Sequence, residues 1–259
     1  MLKETTLFEK IDRVKMAIDR LRQFEPPEGY YLAFSGGKDS VCIYQLALMA
    51  GVKFDAHYNN TTIDPPELIY FIRKHYPNVK FHNPKISMLK MLETRGFPLR
   101  QARWCCAEFK EGGGSGRYVV TGVRQAESFK RSKRRMVEVC MKDTSKRYLH
   151  PIIDWSEEDV WEFIRKNGFP YCYLYNLGFK RLGCLFCPNA TPKEKQMQLE
   201  MYPKYKALFI KSFEKLYQNR KDKPNSSVSR WKSGEEMFNW WIYEMTSKKD
   251  NADQTIMFE

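Results

Sequence analysis

The sequence lacks an apolar run long enough to cross a membrane. No stretch approaches the ~20 consecutive apolar residues that a spanning helix needs. The first fifteen residues also lack an uninterrupted apolar stretch behind their charges, so they do not resemble a secretory signal. We therefore expect a cytoplasmic protein with no membrane partner.

Acidic side chains are in deficit. The 259 residues carry 31 Asp and Glu against 44 Lys and Arg, a formal net charge of +13. This excess favours a polyanionic partner, because net charge governs association rather than fold. A generally basic, soluble surface is the alternative interpretation.

The cysteine count is odd, which is unusual for a disulfide framework. Seven cysteines, with no secretory signal, indicate reduced thiols used for packing, metal binding or redox chemistry. The length allows one large domain, or one domain with a smaller appendage.

Hydrophobic periodicity predicts an α/β fold. Apolar residues at helical spacing over 6–23 predict a helix, and the run 30–34 predicts a strand that leads through a glycine turn into a helix over 41–50. Strands alternating with helices indicate a doubly wound, mainly parallel sheet. The further strands are expected at 53–58, 79–81, 117–123 and 148–153, and the further helices at 67–75 and after the N-cap Ser156.

The last third of the chain has no strand pattern. Helices are expected over roughly 192–219 and 233–247, which suggests a helical C-terminal appendage. The expected domains are therefore an N-terminal helix (1–29), a nucleotide-binding α/β domain (30–170) and a helical region carrying the second cysteine pair (171–259). Trp231, Trp240 and Trp241 are expected to pack in the core of this region, with base stacking as the alternative.

A glycine loop lies between the first long strand and its helix. Its glycines allow a tight turn that presents N–H groups to an anion, and the helix start adds its positive dipole end. The spacing is not that of a Walker A loop. We interpret the segment as a phosphate-binding loop; its residues are Ser35, Gly36, Gly37, Lys38, Asp39 and Ser40.

Two cysteine pairs form a second candidate site. Cys105 and Cys106 are adjacent, and Cys184 and Cys187 are three apart. Four thiolates suit a tetrahedral zinc or a [4Fe–4S] cluster, and the vicinal pair favours iron–sulfur because zinc sites normally space their cysteines. The other three cysteines (Cys42, Cys140 and Cys172) are expected to be structural.

Three further features have more than one interpretation. The segment 112–116 is a natural glycine turn or an engineered linker. The basic run 130–135 can hold a nucleic-acid backbone, bind an extra phosphate of a small nucleotide, or be a solvated loop. His150 is expected to be structural rather than catalytic.

These motifs together resemble the phosphoadenosine- and adenosine-phosphosulfate reductases and their PP-loop sulfurtransferase relatives. The resemblance runs from about Tyr30 to Cys187. It rests on SGGKDS at 35–40, WCC at 104–106, TGVRQAES at 121–128, HPIIDW at 150–155 and GCLFC at 183–187.

The resemblance implies an adenine nucleotide at the carboxyl edge of the sheet. The SGGKDS loop and Gly122 would bind ATP, or adenosine phosphosulfate, with Lys38, Asp39 and Arg124 as catalytic residues and Mg²⁺ on Asp39. The two cysteine pairs would hold a [4Fe–4S] cluster.

The loop has the full form found in ATP pyrophosphatases, and no cysteine follows Cys187 to match the C-terminal nucleophile of the reductases. This departure favours an ATP pyrophosphatase that adenylates nucleic acid, DNA or tRNA, for sulfur transfer. A sulfur donor such as a cysteine desulfurase is then an expected partner, and a homodimer is compatible with the sequence. The alternatives are a phosphosulfate reductase that uses an external thiol, and a nucleotide-binding subunit of a sulfur-modification complex.

Overall fold

The computed structural model describes residues 2–5, 10–224 and 226–245. Contacts divide the chain into two compact units with interleaved segments. The sheet unit comprises 1–59, 66–82 and 112–182, and the helical unit comprises 60–65, 83–111 and 183–259. The domain boundaries at 29 and 170 expected from the sequence stay a prediction.

The sheet unit is built on a six-stranded sheet of order β5-β4-β3-β6-β8-β7. The strands pair in parallel except β7, which is antiparallel to β8. The doubly wound, mainly parallel sheet predicted from the sequence is thereby confirmed. The strands are β1 (Lys3–Thr5), β2 (Lys10–Asp12), β3 (Tyr30–Ala33), β4 (Phe54–Asn59), β5 (Lys80–His82), β6 (Tyr118–Val120), β7 (Val137–Val139) and β8 (Arg147–Leu149).

The strand order reverses on either side of β3. The chain leaves β3 toward β4 on one side, whereas β6 pairs with β3 on the other. Such a switch point opens a crevice at the carboxyl ends of the strands, where ligands of open α/β sheets bind. The topology therefore directs attention to the loops that follow β3 and β6.

The helices agree with most of the periodic segments. They are α1 (Arg13–Gln23), α2 (Lys38–Ala50), α3 (Pro66–His75), α4 (Met88–Arg95), α5 (Trp104–Phe109), α6 (Phe129–Ser132), α7 (Glu157–Lys166), α8 (Pro192–Met201), α9 (Pro203–Arg220) and α10 (Gly234–Asn239). Ser156 caps α7 as expected, because its hydroxyl accepts from the Asp159 N–H at 3.1 Å.

The first helix begins later than predicted. Asp12 is its N-cap and accepts from the N–H groups of Val14 and Lys15 at 3.1 and 3.0 Å. Residues 10–12 instead form β2, which pairs with β1. Residues 6–9, where the predicted helix started, lie outside the described residues.

The helical unit has an aromatic core. Phe209, Phe213, Phe238 and Trp241 pack against one another with ring centroids 5.5–6.3 Å apart. Trp241 is buried and donates to the carbonyl of Pro98 at 2.8 Å, so it belongs to the core as expected. The expected helix at 192–219 is divided between α8 and α9, because Pro203 starts a new helix.

The glycine segment 112–116 forms a turn in which the Arg117 N–H donates to the Gly114 carbonyl at 3.1 Å.

The described part of the chain contains no helix long and apolar enough to cross a membrane.

Candidate nucleotide site and cysteine cavity

The loop between β3 and α2 is shaped by Gly36. Its φ is +73°, and a Cβ there would lie 2.6 Å from Leu68 Cδ1 and 2.8 Å from Ile72 Cδ1. Both the left-handed backbone and the packing against α3 therefore require glycine. The next residue, Gly37, is the N-cap of α2.

Hydroxyl and amide groups of the loop converge at the start of α2. The Gly37 N–H donates to Ser35 Oγ at 3.4 Å, and Ser40 Oγ donates to the Gly37 carbonyl at 2.8 Å. The two serine oxygens lie 3.3 Å apart. These bonds hold the loop in a tight turn at the start of a thirteen-residue helix, whose positive dipole end favours an anion.

Lys38 brings a buried positive charge to this turn. Its side chain is 4% exposed, and Nζ lies 3.6 Å from Asp39 Oδ2 and 3.9 Å from Glu157 Oε1. The Lys38 backbone N–H donates to the Tyr175 hydroxyl at 2.8 Å. Burial raises the pKa of Tyr175, so this hydroxyl stays protonated near neutral pH.

Asp39 and Arg124 form a buried ion pair. Arg124 Nε lies 2.6 Å from Asp39 Oδ1, and Nη1 donates to the Trp155 carbonyl at 3.4 Å. Arg124 is 2% exposed and does not line the cavity described below. The structure therefore places it behind Asp39, and its expected catalytic role remains a prediction.

Gly122 allows the loop after β6 to reach α2. A Cβ at this position would lie 2.9 Å from the backbone carbon and oxygen of Asp39. The predicted nucleotide-site residue Gly122 is therefore needed for close backbone contact.

The loops after β3 and β6 enclose a cavity of about 210 Å³. Three cationic side chains (Lys38, Arg131 and Arg181) and two carboxylates (Asp39 and Glu127) line it. All the predicted loop residues except Gly36 belong to the lining. The remaining members are Ala33, Thr121, Gly122, Val123, Tyr175 and Leu182.

Some of these residues were not predicted from the sequence. Arg131 was one member of the basic run, and its place in the cavity agrees with the phosphate-binding alternative. Arg131 forms an ion pair with Glu127, which fixes both side chains at the cavity wall. Tyr175 and Arg181 follow α7 in a segment without a motif, so the sequence offered no signal for them.

His150 lies behind the cavity wall. It is fully buried, and its Nδ1 lies 2.7 Å from the hydroxyl of Thr121. Burial lowers its pKa to about 4, and the positive charge of Arg134 acts in the same direction. The imidazole is therefore neutral near pH 7.

The four paired cysteines meet in the helical unit. Cys105 and Cys106 lie on α5, Cys184 and Cys187 lie in the segment before α8, and all four line one cavity together with Lys110. Among residues 2–5, 10–224 and 226–245, no group of three or more His, Cys, Asp or Glu side chains is arranged to hold a metal ion. The four thiols therefore share one cavity.

The electrostatics of this cavity favour one thiolate. A hydrogen bond from Cys105 lowers the pKa of Cys106 to about 6, with help from the charges of Lys110 and Arg103. Burial raises the pKa of Cys184 to about 11, against the opposing effect of the Lys110 ammonium.

The other cysteines lie elsewhere. Cys42 and Cys172 are buried in the sheet unit, in agreement with a packing role, and Cys140 lies beside β7, where it accepts from the Tyr148 hydroxyl at 3.7 Å.

The fold and the loop after β3 define an α/β protein of the PP-loop class. Residues 29–190 match the profile of the phosphoadenosine phosphosulfate reductase domain, so the chain belongs to that family. The resemblance stated from the motifs is thereby confirmed at the level of the family.

Individual relatives agree with this assignment. The chain is 29% identical over 237 residues to an uncharacterized protein of Methanocaldococcus jannaschii, covering 78% of this chain and 56% of that protein. It is 30% identical over 144 residues to an adenosine 5'-phosphosulfate reductase of Oceanobacillus iheyensis, covering 52% of this chain and 58% of that enzyme. The chain thus spans little more than half the length of these relatives.

A solved structure shares the fold. The phosphoadenylyl-sulfate reductase of Candida auris superposes with a TM-score of 0.53 at 20% identity, covering 66% of this chain and 89% of that one.

Replacing Gly122 tests the close approach of the two loops. Gly122→Ala should lower the free energy of unfolding by about 1–3 kcal/mol, because its Cβ would collide with the backbone of Asp39. Urea denaturation measures the change. Gly112→Ala, where a Cβ meets nothing within 4 Å, is the matched control and should change stability by less than about 0.5 kcal/mol. Equal effects of the two substitutions would contradict the packing argument.

The buried His150 should make stability depend on pH. Between about pH 6.5 and pH 4, His150 is protonated in the unfolded chain but stays neutral in the folded protein. The contribution of the neutral His150 to the free energy of unfolding is therefore complete above pH 6.5 and is lost as the pH falls toward 4. Urea denaturation of the wild type and His150→Asn over pH 4.5–7.5 should show a steeper decline for the wild type. If the free energy of unfolding declines equally with pH in both proteins, the pKa of His150 is the same in the folded and unfolded states, which would contradict the prediction.

Proposed function

We propose that this protein binds ATP in the cavity after β3 and transfers the adenylyl group to a substrate oxygen, in preparation for sulfur transfer. The observation that carries the proposal is the anion-favouring turn at the start of α2. Its serines, the glycine loop and Lys38 line a polar cavity. Asp39 also lines this cavity, and Arg124, which does not, holds Asp39 in place.

The proposed reaction has two displacements. The substrate oxygen attacks the α-phosphorus of ATP, the bond to the β-phosphate oxygen breaks, and pyrophosphate leaves. A sulfur nucleophile then displaces AMP from the adenylated substrate. Pyrophosphate gains negative charge as it leaves, and the loop donors and Lys38 would stabilise that charge.

Asp39 fits the expected Mg²⁺ ion. Its Oδ1 accepts from Arg124, Oδ2 lies 3.6 Å from Lys38 Nζ, and the residue lines the cavity. Mg²⁺ often binds through one or two carboxylates plus substrate phosphates rather than an all-protein cage. This agrees with the lack of a three-ligand group among the residues that the structure describes. When bound, the ion would offset phosphate charge.

Nucleic acid, DNA or tRNA, is the acceptor class that the charge distribution favours. The chain carries a net charge of +13. Arg131 lines the cavity, and Lys130, Lys133 and Arg135 are exposed next to it in sequence. An acceptor backbone held by this run would lie close to the proposed site of adenylation.

The cysteine cavity is our proposed site for a [4Fe–4S] cluster. Cys105, Cys106, Cys184 and Cys187 would be its ligands, since the four thiols line one cavity and cysteine thiolates are the ligands of such clusters. When bound, a cluster whose four irons are all held by cysteines would supply or accept one electron. The Lys110 ammonium would offset part of the negative charge of the ligands.

Phosphosulfate reduction is the second candidate function. The family match and the relatives named adenosine 5'-phosphosulfate reductase favour it. The same loop, Arg131 and Arg181 would then hold the anionic groups of adenosine phosphosulfate, and a thiol from another protein would take the sulfonate.

Exchange of labelled pyrophosphate into ATP distinguishes the two candidates. The wild type, assayed anaerobically with and without tRNA and DNA, should catalyse exchange, and Asp39→Asn should reduce it by at least about 100-fold because the Mg²⁺ ligand is lost. Asp19→Asn, a change on the exposed face of α1, is the control and should have no effect. Sulfite release from adenosine phosphosulfate without any exchange would contradict adenylation.

Iron and sulfide analysis tests the cluster. Anaerobically purified protein should contain roughly four iron and four sulfide per chain and absorb in the visible region. Cys184→Ser should lose both the metal and the absorption, whereas Cys140→Ser, outside the cavity, should keep them. Zinc without iron in the wild type would refute the proposal.

A further inference from the structure

The hydroxyl of Thr121 has a buried histidine behind it. Thr121 follows β6, its N–H donates to the carbonyl of Leu149, and its side chain lines the nucleotide cavity. On the other side, His150 Nδ1 lies 2.7 Å from the Thr121 hydroxyl oxygen. His150 is 0% exposed, and its backbone N–H donates to the Met136 carbonyl at 2.8 Å, so a buried ring sits on an anchored stretch of backbone.

Arg134 determines which nitrogen of His150 carries the proton. Arg134 Nη2 lies 3.2 Å from His150 Nε2, and a guanidinium can only donate. Nε2 must therefore accept. The neutral ring then carries its hydrogen on Nδ1 and donates it to Thr121.

The other groups around the ring agree with this assignment. Glu138 Oε2 lies 3.8 Å from Nε2, beyond hydrogen-bond distance, and Glu138 instead accepts from the Arg134 Nε–H and from the Arg135 backbone N–H. Tyr148 stacks near the ring with centroids 6.0 Å apart. Arg131 contributes a further positive charge that disfavours imidazolium.

We infer that His150 is a positioning residue that orients the Thr121 hydroxyl as a hydrogen-bond donor into the nucleotide cavity. The hydroxyl oxygen accepts from Nδ1–H, so the hydroxyl hydrogen points away from His150 and toward the space that Thr121 lines. Thr121 would thus recognise an acceptor oxygen of the bound nucleotide, on its phosphate, sulfate or ribose. The inference rests on the proposed nucleotide site and not on the reaction that follows binding.

A matched pair of substitutions separates orientation from mere packing. In His150→Asn the amide nitrogen can take the place of Nδ1 and still donate to Thr121, whereas in His150→Gln the amide group reaches toward the Nε2 position instead. Thr121→Val removes the hydroxyl at nearly constant volume, and Thr121→Ser retains it.

The experiment measures equilibrium binding of ATP and of adenosine phosphosulfate to the full chain by calorimetry. Thr121→Val and His150→Gln should each weaken binding by about 10-fold, and His150→Asn and Thr121→Ser should stay within about 3-fold of the wild type. In the Thr121→Val background, His150→Gln should have no further effect. Equal loss from His150→Asn and His150→Gln, or additive losses in the double variant, would overturn the inference.

A second measurement does not depend on the ligand or on tolerance of the substitutions. Long-range ¹H–¹⁵N NMR spectra of the wild type at pH 7 should show a neutral His150 with its proton on Nδ1, and a proton on Nε2 would overturn the inference. If the variants bind nucleotide as expected but the wild type catalyses no pyrophosphate exchange, only the adenylation proposal fails. If the wild type binds neither ATP nor adenosine phosphosulfate, the adenylation proposal and the inference about His150 both fail.

Discussion

The buried ion pair between Asp39 and Arg124 joins the two halves of the sheet unit. Asp39 lies in the first turn of α2 after β3, Arg124 follows β6, and their side chains meet at 2.6 Å. Arg124 is 2% exposed, so removing Asp39 would leave the guanidinium buried without a carboxylate partner, at a cost of about 3–5 kcal/mol. The pair therefore links the loops that follow β3 and β6 across the switch point. The other carboxylate oxygen of Asp39, Oδ2, lies 3.6 Å from Lys38 Nζ.

The chemistry of the proposed site is arranged in two layers. Residues of the loops after β3 and β6 line the cavity, and buried residues hold them in position. Arg124 supports Asp39 in this way, and His150 supports Thr121. Both supporting residues are almost fully buried, which explains how flexible or rotatable groups at the cavity can present defined donors and acceptors to a nucleotide.

Local patterns predicted much of the fold and the core of the candidate site. The SGGKDS loop and the Ser156 cap depend on residues close in sequence, so they were recognised without a structure. The predicted start of α1 was wrong. Residues 10–12 pair with β1 and Asp12 caps the helix, and neither interaction can be read from helical periodicity. The short β7 is held by its partner β8, and Tyr175 and Arg181 reach the cavity only through tertiary packing. The exclusion of Arg124 from the cavity wall likewise depends on its pairing with Asp39, which no spacing rule encodes.

The most direct test of the account is a crystal structure of the protein with Mg²⁺ and a non-hydrolysable ATP analogue. We expect the β- and γ-phosphates on the loop amides and on the hydroxyls of Ser35 and Ser40, Mg²⁺ at Oδ2 of Asp39, and the Asp39–Arg124 pair unchanged. An analogue bound elsewhere, or an Arg124 that leaves Asp39 to contact the phosphates, would contradict the account.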